Sequence, residues 1–184
     1  MKTSILATIV LASVMANASA QTTQPYAGMQ ARQIKALSDQ QIADLKAGHG
    51  MGLALAAELN GYPGPSHVLE LADQLSLSAG QRATIKDLFD AMKAETIAIG
   101  EGLIVQEAAL DRLFAGRVAT PETLQAATAA IGEVQARLRG AHLKYHLSTA
   151  AILLPQQLHR YAELRGYLGA DQGHQHMMHK PSSN

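Results

Sequence analysis

Residues 77–116 read LSAGQRATIKDLFDAMKAETIAIGEGLIVQEAALDRLFAG, and the fold class follows from how this stretch starts, repeats and stops. Ser78 is a good N-cap. Gln81, three residues on, is placed to reach back to the amide of the cap, the reciprocal arrangement called a capping box. Ile85, Met92, Ile99 and Leu113 then recur on a seven-residue period interrupted only at Gln106, and Phe89, Leu103 and Leu110 flank them four residues on. That spacing lines up apolar side chains on one face of a helix. The stripe reaches Phe114, Gly116 stops it, and Thr120-Pro121-Glu122 restarts the chain with a cap followed by proline in the first helical position. A second stripe, Leu124, Ile131, Leu138, Tyr145 and Ile152, keeps the same period. Two helices of roughly 35 residues at about 1.5 Å per residue are each on the order of 50 Å long, and a turn of a few residues obliges them to pack antiparallel.

Outward from this hairpin the signals are shorter. Ser38 with Gln41 predicts a helix start in a region carrying Ile34, Leu37, Ile42 and Leu45. Gly48-His49-Gly50-Met51-Gly52 loosens the chain, and a short helix over Leu53 to Leu59 should stop at Asn60-Gly61. Tyr62-Pro63-Gly64-Pro65 reads as a rigid, non-helical turn, and a short helix follows from Ser66. A last helix is expected from Leu154-Pro155-Gln156-Gln157, carrying Leu158, Tyr161, Leu164 and Leu168 up to Gly169. With no Trp and only two Phe, and with Ala, Leu, Gln and Glu prevailing mid-chain, composition favours helix over strand. The expectation is an all-α fold, a long antiparallel helical hairpin with shorter flanking helices.

The first residues follow processing rules. Lys2, the apolar run Ile5 to Val14 and the small residues Ala18-Ser19-Ala20 predict a signal peptide over residues 1–20, cleaved after Ala20. Residues 21–65 then form an N-terminal helical segment, 66–169 the hairpin domain, and 170–184 a disordered tail rich in His and Met. The apolar run is too short to span a bilayer comfortably, and no later one approaches the roughly 20 residues a spanning helix needs. With 15 basic against 15 acidic residues the chain has no electrostatic footprint for nucleic acid or an anionic membrane. There is no cysteine to crosslink in an oxidising compartment.

The pair Leu77-Ser78-Ala79-Gly80-Gln81 and Leu153-Leu154-Pro155-Gln156-Gln157 resembles the paired L-T-x-x-Q motifs of the Spy/CpxP family of periplasmic stress proteins. Relatives of that family include zinc-responsive ZraP and CnrX-type heavy-metal sensors. The resemblance runs from about Ser66 to Leu168 and rests on Leu77, Ser78, Gln81, Leu153, Pro155 and Gln157. It departs from the pattern where Ser78 and Leu154 replace the threonines. It implies a four-helix, often dimeric fold in the periplasm that holds unfolded or partly folded envelope proteins without ATP as part of a stress response. The strongly basic cradle of the best-known chaperone member is missing, so client contact would be apolar, with Met92, Ile97 and Ile104 as candidate client-binding residues. A sensor kinase periplasmic domain is the other partner class it suggests. The metal-sensing branch places a histidine pair near the start of the first hairpin helix and a His with a Met near the end of the other. His67 and His146 fall near two of those places, but Leu71 and Ala150 stand where the partners should be.

The residues themselves offer two metal candidates, so a heavy-metal-binding or metal-sensing protein is the alternative. His142 and His146, four apart, share one flank of a helix and could pinch a metal ion, or they are two solvated surface histidines. His174, His176, Met177, Met178 and His179 combine imidazole with thioether, a set suited to weak copper, nickel or zinc binding, or they belong to a solubilising tail. The glycines at 48–52 lack the preceding strand and the Lys-Ser/Thr ending of a phosphate loop, and His67-Val68-Leu69-Glu70 is not H-E-x-x-H. Without a G-x-S-x-G element or a cysteine nucleophile, no enzymatic site is expected.

Overall fold

A computed structural model describes residues 24–168. The expected signal peptide with its cleavage after Ala20, and the ligand cluster His174, His176, Met177, Met178 and His179, lie outside the described residues. The described chain is all-helical, without a strand. A single 3-10 turn at Met29–Ala31 precedes α1 (Asp39–Ala47), α2 (Leu55–Glu58), α3 (Pro65–Glu70), α4 (Ala79–Ala115), α5 (Pro121–Ile152) and α6 (Pro155–Leu164). No helix among the described residues is long and apolar enough to cross a membrane.

The helix starts obey local chemistry. Ser38, Ser78 and Thr120 each accept from the backbone N–H three residues on, while Gln41, Gln81 and Thr123 accept from the cap's own amide. Two orphan donors are thereby satisfied at each start. Pro65 is not part of a non-helical turn, as its sequence context suggests; it occupies the first position of α3, where its missing N–H costs nothing. The stop after α4 also differs in detail. Gly116 remains right-handed and Arg117, at φ 55°, takes the left-handed turn.

Helices α4 and α5 run in opposite directions along each other. Gln81 in the first turn of α4 reaches the carbonyl of Ile152 at the end of α5, and Glu95 midway along α4 binds Lys144 Nζ at 2.6 Å and Tyr145 Oη at 2.9 Å. Lys144, then burial and Tyr145, set the Glu95 carboxyl, and the net effect holds it below its usual range. Two apolar clusters flank this middle. Near the motifs, Val68, Ala72, Leu75, Leu77, Ile85, Leu153 and Tyr161 are buried together. Farther along, Ile34, Leu37 and Leu45 of the N-terminal segment pack with Leu103, Ile131 and Leu138 of the long helices.

That second cluster exists because α1 lies directly on α4. A Cβ on Gly100 would stand 2.7 Å from the carbonyl oxygen of Leu45, so the crossing requires glycine. At the end of α1, Gly48 adopts φ 69° and a Cβ there would meet Thr96 Oγ1 at 2.8 Å. The N-terminal segment reaches α4 as far as Asp111, which Lys35 contacts, and toward the hairpin turn beyond it Phe114, Val118 and Leu124 are exposed.

Candidate functional site

Three arrangements converge on the motif end of the molecule. The first is the junction of the motifs. Gln81 donates to Gln157 Oε1 (2.8 Å) and to the carbonyl of Ile152 (3.0 Å), while Gln157 donates back to Gln81 Oε1 (3.2 Å) and to the carbonyl of Leu75 (3.2 Å). Each Oε1 also accepts from the amide that precedes its own helix, Ser78 N for Gln81 and Leu154 N for Gln157. The starts differ in one group. Ser78 Oγ accepts from Gln81 N, whereas Leu154 has no side-chain acceptor and Gln157 N donates instead to the Leu154 carbonyl at 2.9 Å. Leu77 and Leu153 are buried beneath the junction. Its geometry is that of a structural clasp, since the amides are turned inward and fully partnered.

The second arrangement is a buried carboxylate. Glu58, 7% exposed, accepts from Tyr161 Oη (2.5 Å), Tyr167 Oη (3.1 Å) and the backbone N–H of Gly64 (3.1 Å), with Arg165 Nε at 3.7 Å. Burial, then the Glu58 carboxylate, pushes the Tyr161 hydroxyl far above its usual pKa, so it stays a donor. The cluster ties α2 and the turn before α3 to α6. Sequence reasoning missed Glu58; the one signal was a lone acidic residue inside the apolar run LALAAELN.

The third holds the histidines. His142 and His146 are 2% and 8% exposed, which rules out two solvated surface side chains. Together with Gly50, Gly64, His67 and Met92 they line a cavity of about 110 Å³ roofed by the glycine-rich loop. His146 Nδ1 lies 2.7 Å from the carbonyl oxygen of Tyr62 and 3.7 Å from Glu58 Oε2; a carbonyl only accepts, so Nδ1 carries a proton, and Nε2 is the nitrogen that would serve as a ligand. A Cβ on Gly64 would stand 2.8 Å from that Nε2. His142 Nε2 is buried without a hydrogen-bond partner, and burial, then the nearby His146, holds the ring below the usual imidazole pKa. Among the described residues no group of three or more His, Asp or Glu is placed to hold a metal ion. Three imidazoles, those of His142, His146 and the Glu70-paired His67, and the Met92 thioether line the one cavity. None of the described histidines hydrogen-bonds a serine or threonine hydroxyl: His49 pairs with Asp44 and His67 with Glu70.

The candidate client-binding residues do not form an open face. Met92 is buried (8% exposed), and Ile97 and Ile104 are half-buried. Gly48 is packed onto Ile97, and Ile104 packs against the cluster that contains Leu37 and Leu45. The N-terminal segment covers the stripe that the hairpin alone would leave free. Exposed apolar surface lies elsewhere. Tyr62, Leu147 (57% exposed) and Leu158 line a depression of about 470 Å³, and Leu59 (58% exposed) precedes its Asn60–Tyr62 wall. Comparison with protein-family models, with curated proteins and with solved structures returns no match for this chain.

Proposed function

We propose that the protein is an ATP-independent binder of unfolded or partly folded envelope proteins, a periplasmic stress-response chaperone of Spy/CpxP type built as a four-helix hairpin fold. One observation carries the reading: a depression between the turn after α2 and the end of α5, lined by Tyr62, Leu147, Ala150, Ala151 and Leu158, in which Tyr62 and Leu147 are exposed and which the exposed Leu59 adjoins in sequence. Exposed apolar side chains gathered around one depression mark a binding face. The paired motifs support the reading by holding the α5–α6 corner rigid, because the Gln81–Gln157 clasp fixes where α6 leaves α5. The test is suppression of light scattering when stoichiometric chain meets an aggregating, unfolded client. Leu59→Asp with Leu147→Asp should abolish suppression while leaving the helical signal intact. A wild-type chain that leaves aggregation unchanged ends the proposal.

A second reading, a metal-binding protein for copper, nickel or zinc, is favoured by the unpartnered Nε2 of His142 beside His146 and Met92. The hydrogen bond from His146 Nδ1 to a backbone carbonyl is the kind of support that orients a ligating imidazole. Titrating the three ions into the full chain, His142→Leu and a chain ending at residue 168 separates the buried pair from the His/Met tail. Affinity that follows the tail alone removes the pair from consideration.

A further inference from the structure

A different part of the surface carries a site with its own chemistry. Between α1, the segment before α2 and the middle of α5 lies a groove of about 610 Å³. Its walls are Leu37, Leu45, Leu53, Leu103 and Leu138, and its polar groups are few: Gln41, Gln135 and Arg139. The size and the balance of many apolar to few polar lining groups are those of small-molecule sites.

Two features point to an occupant. Arg139 is the only charged side chain in the lining, no acidic residue faces it there, and it makes no ion pair among the described residues. A guanidinium flanked by two carboxamides presents donors suited to a carboxylate. The other feature is Gly132. It sits inside α5, where glycine is unfavourable by about 1 kcal/mol relative to alanine, and a Cβ there would meet nothing within 4 Å. Packing therefore does not require it. Gly102 and Gly140 are equally unobstructed, but Gly132 alone of the three lines the groove, so a side chain there would project into it.

We infer that this groove binds a single-chain amphiphile with an anionic carboxylate head, the chemistry of a long-chain fatty acid, with its chain along the leucines and its head at Arg139. The chain would lie over Leu53 and the exposed edges of the otherwise buried Leu37, Leu45, Leu103 and Leu138, and each methylene removed from water there is worth about 0.8 kcal/mol. The head selects the ligand. The site lies along the middle of α5, away from the α5–α6 corner, and does not depend on the client-binding reading.

The test uses the full chain and a fluorescent undecanoic acid probe, displaced by laurate, dodecanol or dodecylamine. Laurate should displace the probe with one-to-one stoichiometry, and dodecanol and dodecylamine should each be weaker by roughly tenfold, the factor that about 1.4 kcal/mol of head-group contact produces. Arg139→Gln should remove that preference while keeping chain binding, and Gly132→Leu should lose both with an unchanged helical signal. Equal displacement by laurate, dodecanol and dodecylamine overturns the inference. So does wild-type affinity in Gly132→Leu, or displacement by an unfolded polypeptide but not by laurate.

Discussion

Gln81 and Gln157 hold each other by two amide hydrogen bonds across 76 residues of sequence, and each spends its remaining donor on a backbone carbonyl of the other's neighbourhood. Three helix termini and the turn carrying Leu75 meet at this pair. Because every amide proton and both carbonyl oxygens have partners, removing one glutamine strands groups on both sides of the junction.

Gln81→Ala and Gln157→Ala should each destabilise the fold by about 1–3 kcal/mol, the usual cost of leaving buried polar groups unpaired. The double variant should lose clearly less than the sum, because the second truncation removes groups the first has already orphaned. Urea unfolding of the four chains measures this. Additivity would mean that the two amides do not act as one unit.

At the second motif one cap is missing. Leu154 has φ −73° and ψ 154°, close to the φ −63° and ψ 159° of Ser78, so the backbone is already set for a side-chain cap. Leu154→Thr should stabilise the chain by about 0.5 kcal/mol, the low end for a cap, by offering Gln157 N the side-chain acceptor that Ser78 offers Gln81 N, in place of the Leu154 carbonyl it now uses. An unchanged or lower unfolding midpoint would contradict the equivalence of the two starts.

Within the hydrophobic pattern the long helices were legible because capping and heptad spacing are local signals. Contacts between distant segments were not. Met92, Ile97 and Ile104 read as a free stripe because nothing in the spacing of α4 announces that α1 will lie on it; only Gly100, a helix breaker inside a heptad pattern, marks the crossing. His142 and His146 were legible as neighbours on one flank. Their burial comes from the turn before α3, whose Tyr62 carbonyl and Gly64 close over that flank. Glu58 escaped attention because its partners, Tyr161, Arg165 and Tyr167, lie about a hundred residues away.

Two alanine substitutions should have opposite signs. Gly100→Ala places a Cβ 2.7 Å from the Leu45 carbonyl and should cost about 1–3 kcal/mol despite the better helix propensity. Gly132→Ala meets nothing within 4 Å and should gain about 0.5–1 kcal/mol. Thermal unfolding of the two variants compares them directly. A gain at residue 100 would mean that α1 does not sit on α4 as described.

The Glu58 cluster sets a further expectation. Tyr161→Phe removes one donor to a buried carboxylate and should cost about 1.5–3 kcal/mol, the range for hydrogen bonds to charged groups. Tyr167→Phe, whose hydroxyl also has the Arg165 side chain as a partner, tests the weaker contact at 3.1 Å. Denaturant midpoints should fall in the order wild type, Tyr167→Phe, Tyr161→Phe; the reverse order would assign the anchoring role to Tyr167.

The buried histidine makes stability depend on pH in a defined direction. His142 has a folded-state pKa held below that of an ordinary imidazole, by burial first and by His146 second. Between the two pKa values the unfolded chain binds the proton and the folded chain does not, so unfolding takes up a proton and stability rises with pH. Its contribution is therefore complete above the unfolded value and is lost as pH falls below it. Glu95, Asp44 and Glu70 have carboxyls held below the usual range, so their contributions fade at more acidic pH, while burial holds Glu107 above its usual range, so that it gains stability as pH falls and opposes the histidine. Unfolding free energy should drop from about pH 7 to about pH 5 in the wild type and flatten over the same interval in His142→Gln. The glutamine variant keeps a polar group at the site but cannot take the proton, so an equally steep decline in it would place the titrating group elsewhere, with the buried His146, which faces the same cavity, as the next residue to replace.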